Sequence, residues 1–64
     1  MPEENLPYTT AYPTWAGDWA VALMQWNVNQ DGYLPDIKSR EKSKLEAITK
    51  AWALAQRLGL EMRL

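Results

Sequence analysis

The sequence predicts a small α+β domain in which one helix covers one face of a three-stranded sheet, preceded by an extended N-terminal arm. Three observations support this prediction. A capped amphipathic stretch ends at a glycine, a short alternating stretch follows it, and a longer apolar run comes directly before an Asp-Gly turn. We therefore expect the arm at residues 1–14 and a single ββαβ domain at residues 15–64, with the order strand, hairpin, strand, helix, strand.

The helix is the element with the clearest local signals. Ser43 and Glu46 have the S-x-x-E spacing of a capping box, and Gly59 is placed to end the helix in the left-handed conformation. Apolar residues recur between them at three- and four-residue spacing and predict one buried stripe. Trp52 lies in the middle of that stripe, so we expect it in the core. The predicted stripe is Leu45, Ile48, Trp52, Ala55 and Leu58.

The stretch after the helix predicts a short strand. Leu60, Met62 and Leu64 alternate with charged residues, which is the period-two pattern of a strand with one buried face. A lone strand of five residues is not stable, so it must pair with an upstream segment. We expect that partner to be the tryptophan-rich segment 15–28.

Segment 15–28 admits two interpretations. As a helix, it would align Trp15, Trp19, Ala22 and Trp26 in one stripe, and its alanine, leucine and methionine residues favour helix. As a strand, it would be apolar on both faces, as a central strand is. Gly17 would weaken the first turn of a helix, and the C-terminal strand needs a partner. We therefore predict a strand.

The residues after this segment predict a hairpin. Asp31-Gly32 lies between apolar runs, which is a strong hairpin signal, and Tyr33–Lys38 forms the returning strand. Pro35 places that strand at the edge of the sheet because proline cannot donate a ladder hydrogen bond. One helix covers only one face of such a sheet. The other face must be covered by the arm, a second copy or a partner.

The hairpin residues also resemble another motif. Asn27, Asn29, Asp31 and Gly32, with Tyr33 and Leu34, match positions one, three, five, six, seven and eight of an EF-hand calcium loop. This resemblance over about twelve residues implies the alternative fold, a mostly α helix-loop-helix. However, Lys38 stands where the family has a bidentate glutamate. We therefore interpret these residues as turn chemistry and predict no metal site.

Composition limits the possible chemistry. The chain has no cysteine and no histidine, which excludes disulfides, thiolate zinc sites, cysteine nucleophiles and histidine-based triads. Its carboxylates are expected to be solvated surface acids, because a chain of 64 residues has little room for an enzyme-sized pocket. We expect no enzymatic activity, no cofactor, no signal peptide, no membrane span and a cytoplasmic location.

A basic run precedes the helix and suggests one possible function. It consists of Lys38, Arg40, Lys42 and Lys44. Cations at a helix N-terminus oppose the helix dipole, and a bound phosphate would relieve that conflict. A basic cluster opening an alanine-rich helix resembles the second half of double-stranded-RNA-binding domains, which implies nucleic-acid contact by these four residues. The chain has a net charge of −1, whereas nucleic-acid binders of this size are usually basic.

The aromatic residues suggest the function that we favour from the sequence. Four tryptophans and three tyrosines are many for a domain of this length. Tryptophan and tyrosine are enriched at the centres of protein interfaces. We expect Tyr8, Tyr12, Trp15 and Trp26 to contact a protein partner. The sequence therefore predicts a non-enzymatic binding module, an inhibitor or an accessory subunit, that docks onto a larger protein or onto itself as a homodimer. Nucleic-acid binding by the basic run is the alternative.

Overall fold

The computed structural model describes residues 5–64, which form a four-stranded mixed sheet and one helix. The strands are β1 (Tyr8–Pro13), β2 (Trp19–Asn27), β3 (Gly32–Glu41) and β4 (Glu61–Met62), and the helix is α1 (Lys44–Leu58). The sheet order is β3-β2-β1-β4; β1 and β3 each pair antiparallel with β2, whereas β4 is parallel to β1. The predicted α+β class is confirmed, and the sheet has one strand more than expected.

Strand β2 resolves the ambiguity of segment 15–28. Trp19–Asn27 is a central strand that pairs on both sides, so the strand prediction is confirmed and the helix-loop-helix alternative is wrong. Val21 faces α1, whereas Ala20 and Ala22 are buried on the opposite side. Strand pairing on both edges outweighs the helix propensity of its alanine, leucine and methionine residues.

Strand β1 replaces most of the predicted arm. Tyr8–Pro13 does not lie across an apolar face; it is inserted between β2 and β4 as an internal strand. Residues 1–4 of the predicted arm lie outside the described residues. The sequence pattern of β1 is hard to recognise because its two buried residues, Thr9 and Ala11, are small, and one of them is polar. Thr9 is accommodated because its hydroxyl donates to the Ala51 carbonyl at 2.9 Å.

The C-terminal strand exists, but its partner differs from our expectation. Strand β4 has two residues instead of five, and it pairs with β1 instead of segment 15–28. The Arg63 amide adds one further hydrogen bond, to the Thr9 carbonyl at 2.9 Å. The inserted strand β1 separates β4 from β2, so the prediction of the β4 partner was wrong because β1 was missed.

Both predicted ends of α1 are confirmed. The Glu46 amide donates to the Ser43 hydroxyl oxygen at 3.2 Å, and that hydroxyl in turn lies 3.1 Å from the Glu46 carboxylate. Gly59 adopts φ +70°, where a side chain is disfavoured, and the Leu60 amide donates to the Ala55 carbonyl at 2.8 Å. This is the Schellman arrangement. Local side-chain and glycine chemistry therefore sets the helix length.

The buried stripe of α1 is rotated from the predicted one. Its buried residues are Ala47, Ala51, Leu54 and Ala55, with Ile48 packed partly against the core. Trp52 is 56% exposed and Leu45 is 75% exposed, so the prediction that Trp52 lies in the core was wrong. Alanines at the contact let the helix approach the sheet closely. Successive residues on a helix point about 100° apart, so Trp52 points away from the sheet when its neighbour Ala51 faces it.

Strand β3 runs to Glu41, three residues beyond the predicted end at Lys38, so Arg40 is also a strand residue. The turn before it has the expected side-chain chemistry, because the Asn27 side-chain oxygen accepts from the Asn29 and Gln30 amides. Strand β3 lies at an edge of the sheet, as its proline predicted. A bulge leaves Lys38 without a direct partner on β2, since the residues on either side of it pair with adjacent residues there.

Candidate docking surface on the open sheet face

The helix covers one face of the sheet, and the opposite face is called the open face here. Residues paired across neighbouring strands share a face, so the strand register assigns each side chain to one of the two faces. Thr9 and Val21 point toward α1, and the residues on either side of them in the chain point away. The open face consists of Tyr8, Thr10, Tyr12, Ala20, Ala22, Met24, Trp26, Tyr33, Pro35, Ile37 and Arg40, together with Glu61 and Arg63 at the β4 edge.

Three aromatic side chains form a cluster at one end of the open face. The Tyr33 ring lies 4.9 Å from the Tyr8 ring and 5.3 Å from the Trp26 ring, with interplanar angles of 69° and 80°. These are edge-to-face contacts, which aromatic pairs prefer. The Tyr33 hydroxyl donates to the Leu6 carbonyl at 3.0 Å. The aromatic cluster, Tyr8, Trp26 and Tyr33, is therefore held in one arrangement while its rings remain partly exposed.

A cation lies beside this cluster at the β4 edge. The Arg63 guanidinium carbon is 4.5 Å from the centre of the Tyr8 ring, within the range of a cation–π contact. Its Nε atom also forms an ion pair with Glu61 at 3.2 Å, and the hydrogen bond to Glu61 raises the pKa of Arg63. The positive charge of Arg63 and the negative charge of Glu61 therefore neutralise each other at the β4 edge.

A second ion pair closes the other end of the open face. Arg40 Nε lies 2.8 Å from Asp18 Oδ2, and Arg40 Nη2 lies 3.0 Å from Asp18 Oδ1, so the pair is bidentate. The Thr14 hydroxyl donates to the same carboxylate. The hydrogen bond from Arg40, followed by that from Thr14, lowers the pKa of Asp18. These contacts also fix the turn between β1 and β2.

The centre of the open face is apolar. Met24 and Pro35 are directly paired there, and Ile37 is 49% exposed. Ala20 and Ala22 lie on the same face but are fully covered by their taller neighbours. An apolar centre between charged ends is the usual anatomy of a protein interface. The open face therefore has the composition of a docking surface.

The structure brings together three of the four residues that we expected to bind a partner. Tyr8, Tyr12 and Trp26 share the open face. Trp15 does not belong to it, because it lies in the turn between β1 and β2 and is 98% exposed.

Several residues of the open face were not proposed from the sequence. These are Met24, Tyr33, Ile37 and Arg63. A usable signal existed for Tyr33, since a hairpin through Asp31-Gly32 places it opposite Trp26. Alternation also offered a signal for Met24, two residues from Trp26, and for Ile37, four residues after Tyr33. Arg63 depends on the position of β4 beside β1, which the sequence did not reveal.

The four basic residues proposed for nucleic-acid contact are dispersed. Arg40 lies on the open face and is held by Asp18. Lys38 lines a groove beside α1 and pairs with Asp36 at 2.8 Å. Lys44 lies 5.9 Å from the centre of the Trp19 ring, and Lys42 is exposed after β3. They do not form one surface.

A groove lies beside α1 on the covered side of the sheet. It has a volume of about 390 Å³ and lies between α1 and β3. Its floor includes the buried residues Val21 and Leu54, and Lys50 at its rim pairs with Glu41 at 3.0 Å. The hydrogen bond from Lys50 lowers the pKa of Glu41. The groove is shallow, and most of its rim charges are already paired.

The remaining observations concern metals, membranes and known proteins. Residues 5–64 contain no group of three or more metal-ligating side chains that could hold an ion. In the same part of the chain, the helix is too short and too polar to cross a membrane. Comparison with known proteins found no matching family model, no matching curated protein and no matching solved structure.

Proposed function

We propose that this protein is a non-enzymatic binding module, of the inhibitor or accessory-subunit kind, that docks onto protein through its open face. The observation that supports the proposal most is the aromatic cluster, which lies next to the apolar centre at Met24 and Ile37 on a regular sheet. Tyrosine and tryptophan contribute large contact areas with few rotatable bonds. This surface is therefore preorganised in the unbound protein.

The charges of the open face determine what kind of partner fits. Glu61 pairs with Arg63 on the face, and Asp18, in the turn beside it, pairs with Arg40. The two pairs therefore leave no net charge. A neutral face does not attract a polyanion over a distance. Contact with an apolar protein surface is stabilised mainly by the burial of apolar area. Salt screens interactions between charges and weakens this contribution little. We expect binding to persist at high ionic strength.

Nucleic-acid binding through Lys38, Arg40, Lys42 and Lys44 is the competing proposal. It would require several free cations on one surface, because affinity for nucleic acid grows with the number of phosphates that are neutralised. The dispersal of these side chains and the Asp18–Arg40 pair weaken it. We retain the cytoplasmic location expected from the sequence as part of our proposal.

Site-specific photo-crosslinking tests the docking proposal. A photoreactive side chain is placed at Pro35, which is exposed on the open face, or at Thr49, which is exposed on α1. Each protein is illuminated in a cell extract in 0.1 M and in 0.5 M salt. We expect protein adducts from position 35 at both salt concentrations and few or none from position 49.

Competition separates specific docking from random capture. Untagged wild-type protein should suppress the adducts from position 35, whereas an Ile37→Lys competitor should not. The Leu45→Lys competitor is the matched control, because Leu45 is exposed on α1 and lies away from the open face. Equal adducts from both positions, or adducts that disappear with nuclease or high salt, would contradict the proposal.

A further inference from the structure

The side chains that the fold buries are small for a chain that has no disulfide. Among residues 5–64, nine apolar residues are buried, and six of them are alanine. None of the seven aromatic residues is buried, although each has a large apolar area to remove from water. Domains of about 60 residues are marginally stable when they rely on one core alone. This fold therefore gains stability when its open face is covered. The buried residues are Ala11, Ala20, Val21, Ala22, Leu23, Ala47, Ala51, Leu54 and Ala55.

The open face is also compatible with its own copy. Two identical faces bring like charges together unless each charge is already neutralised. Here Arg40 is held by Asp18 in a bidentate pair, and Arg63 is held by Glu61. The pairs lie at opposite ends of the face and leave the apolar centre free of charge. A second copy therefore meets no net repulsion.

The size of the face sets the strength of such a contact. The four strands contain 6, 9, 10 and 2 residues. At about 3.3 Å along a strand and about 4.8 Å between strands, they present roughly 430 Å² of projected sheet. Standing aromatic side chains add accessible area to this value. Two copies together cover roughly 860 Å² of projected sheet, and the standing side chains bring this contact toward the lower limit of specific interfaces, about 1,200 Å² in total. Such a dimer dissociates on dilution.

We propose that the occupant of the open face is a second copy of this chain, packed sheet against sheet in a two-fold dimer. This inference rests on the proposed docking role of the open face and names its partner. The two-fold axis runs between the two faces near Thr10 and Ala22, which are paired on the two middle strands. Sheets packed in this way lie about 10 Å apart.

Sedimentation equilibrium over a wide concentration range tests this inference. The wild-type mass should rise with concentration from 7.4 kDa toward twice that value. The Ile37→Lys variant should raise the dissociation constant by at least about tenfold, because an unpaired ammonium is driven into the apolar centre. Leu45→Lys, which adds the same charge to α1, should leave the dissociation constant unchanged. Circular dichroism checks that each variant is folded.

A cross-linking measurement identifies the face without adding a charge to it. The chain has no cysteine, so Thr10→Cys and Thr49→Cys each introduce a single thiol. A bismaleimide that spans about 10 Å should join two Thr10→Cys chains efficiently, since they lie near the axis on facing sheets. The Thr49→Cys chains, which carry their thiols on α1, should not be joined above the level of random collision.

The outcomes separate the dimer from the docking role. A wild-type protein that remains at 7.4 kDa at millimolar concentration overturns the dimer. If position 35 still gives competed adducts with a foreign protein, the docking role remains. A dimer that tolerates Ile37→Lys but is lost in Leu45→Lys, with cross-links only from Thr49→Cys, overturns the open-face dimer. If position 35 also gives no competed adducts, the docking role is overturned with it. Wild-type dimers that cross-link through Thr10→Cys support both.

Discussion

The two faces of the sheet are built from different kinds of side chain. Under α1 the sheet presents small residues such as Thr9, Ala11 and Val21, and the helix meets them with Ala47 and Ala51. The open face carries Trp26, Met24 and all three tyrosines, whereas the larger side chains under α1 are Trp19, Leu23 and Met62. Small residues allow a helix to lie close to a sheet. The close approach of α1 excludes water from the contact between them. Four of the five aromatic side chains in the strands thus lie on the open face and remain available for another surface.

Polar groups are handled differently on the two faces as well. Thr9 is fully buried under the helix, and its hydroxyl satisfies a helix carbonyl. On the open face, the charged groups are exposed and matched in pairs at the two ends. Stability therefore depends mainly on the covered face, whereas the open face can change with little effect on folding. Substitutions on the two faces test that division.

Truncating a leucine on the covered face should have the largest effect on stability. Leu54 is 9% exposed and belongs to the core cluster. Leu54→Ala should lower the free energy of unfolding by about 2–4 kcal/mol, because it removes buried apolar contacts and leaves a cavity. Urea denaturation followed by circular dichroism measures the change.

The same truncation at Leu45 is the control. Leu45 is on the same helix but is 75% exposed, so Leu45→Ala should change the free energy of unfolding by no more than about 0.5 kcal/mol. Equal losses in the two variants would mean that the exposed side of α1 also contributes to the core. That result would remove the distinction between the covered face and the rest of the surface.

The buried hydroxyl of Thr9 should have the next largest effect. Thr9→Val keeps the shape of the side chain and removes the hydrogen bond to the Ala51 carbonyl. The expected loss is about 0.5–1.5 kcal/mol of unfolding free energy, the net value of a typical hydrogen bond. Thr10→Val on the open face should cost less, because Thr10 is only partly buried and valine favours strands. Urea denaturation of the two variants measures both losses. A larger loss for Thr10→Val than for Thr9→Val would contradict the prediction.

The covered face was the harder one to predict from the sequence. Capping at Ser43 and Gly59, the hairpin at Asp31-Gly32 and the strand character of β2 are local properties, and each was predicted. The helix stripe was misassigned because alanine scores as weakly apolar, whereas Leu45 and Trp52 dominate any periodicity. Which side of a helix is buried depends on how closely the sheet approaches, and this is a tertiary property.

Strand β1 was missed for a related reason. Its buried positions are occupied by Thr9 and Ala11, and prolines flank the strand, so no alternation of large apolar residues is visible. The missing strand changed the assumed partner of β4. On the open face, Tyr8, Tyr12 and Trp26 could be nominated from residue type alone, but their shared face follows from the register of β1 on β2.

On the open face, removing a single hydroxyl should have a small effect on stability. Tyr33→Phe keeps both ring contacts of the aromatic cluster and removes the hydrogen bond to the Leu6 carbonyl. Because this bond is exposed, we expect a loss of no more than about 0.5 kcal/mol in unfolding free energy. Thermal unfolding measures it. A loss as large as that of Thr9→Val would show that the open face contributes to folding as much as the covered one does.

The smallest effect should appear in the pH dependence of stability. The hydrogen bond from Arg40 lowers the pKa of Asp18 in the folded state, whereas in the unfolded chain the carboxyl has its usual pKa of about 4. The stabilisation is therefore complete above the unfolded value and is lost as the pH falls through the lowered folded value. The midpoint of thermal unfolding should decrease below about pH 4. Asp18→Asn should make that decrease shallower.

Glu41 offers the matching test on the other side of the sheet, because the hydrogen bond from Lys50 lowers its pKa in the same direction. Glu41→Gln should also make the acid-induced decrease shallower. Both carboxylates belong to pairs with exposed cations, so 0.5 M salt should reduce both effects. If salt reduces only the effect of Asp18→Asn on the acid-induced decrease, the Glu41–Lys50 pair is shielded from solvent between β3 and α1. The ion pairs then differ between the two faces in the same way as the packing does.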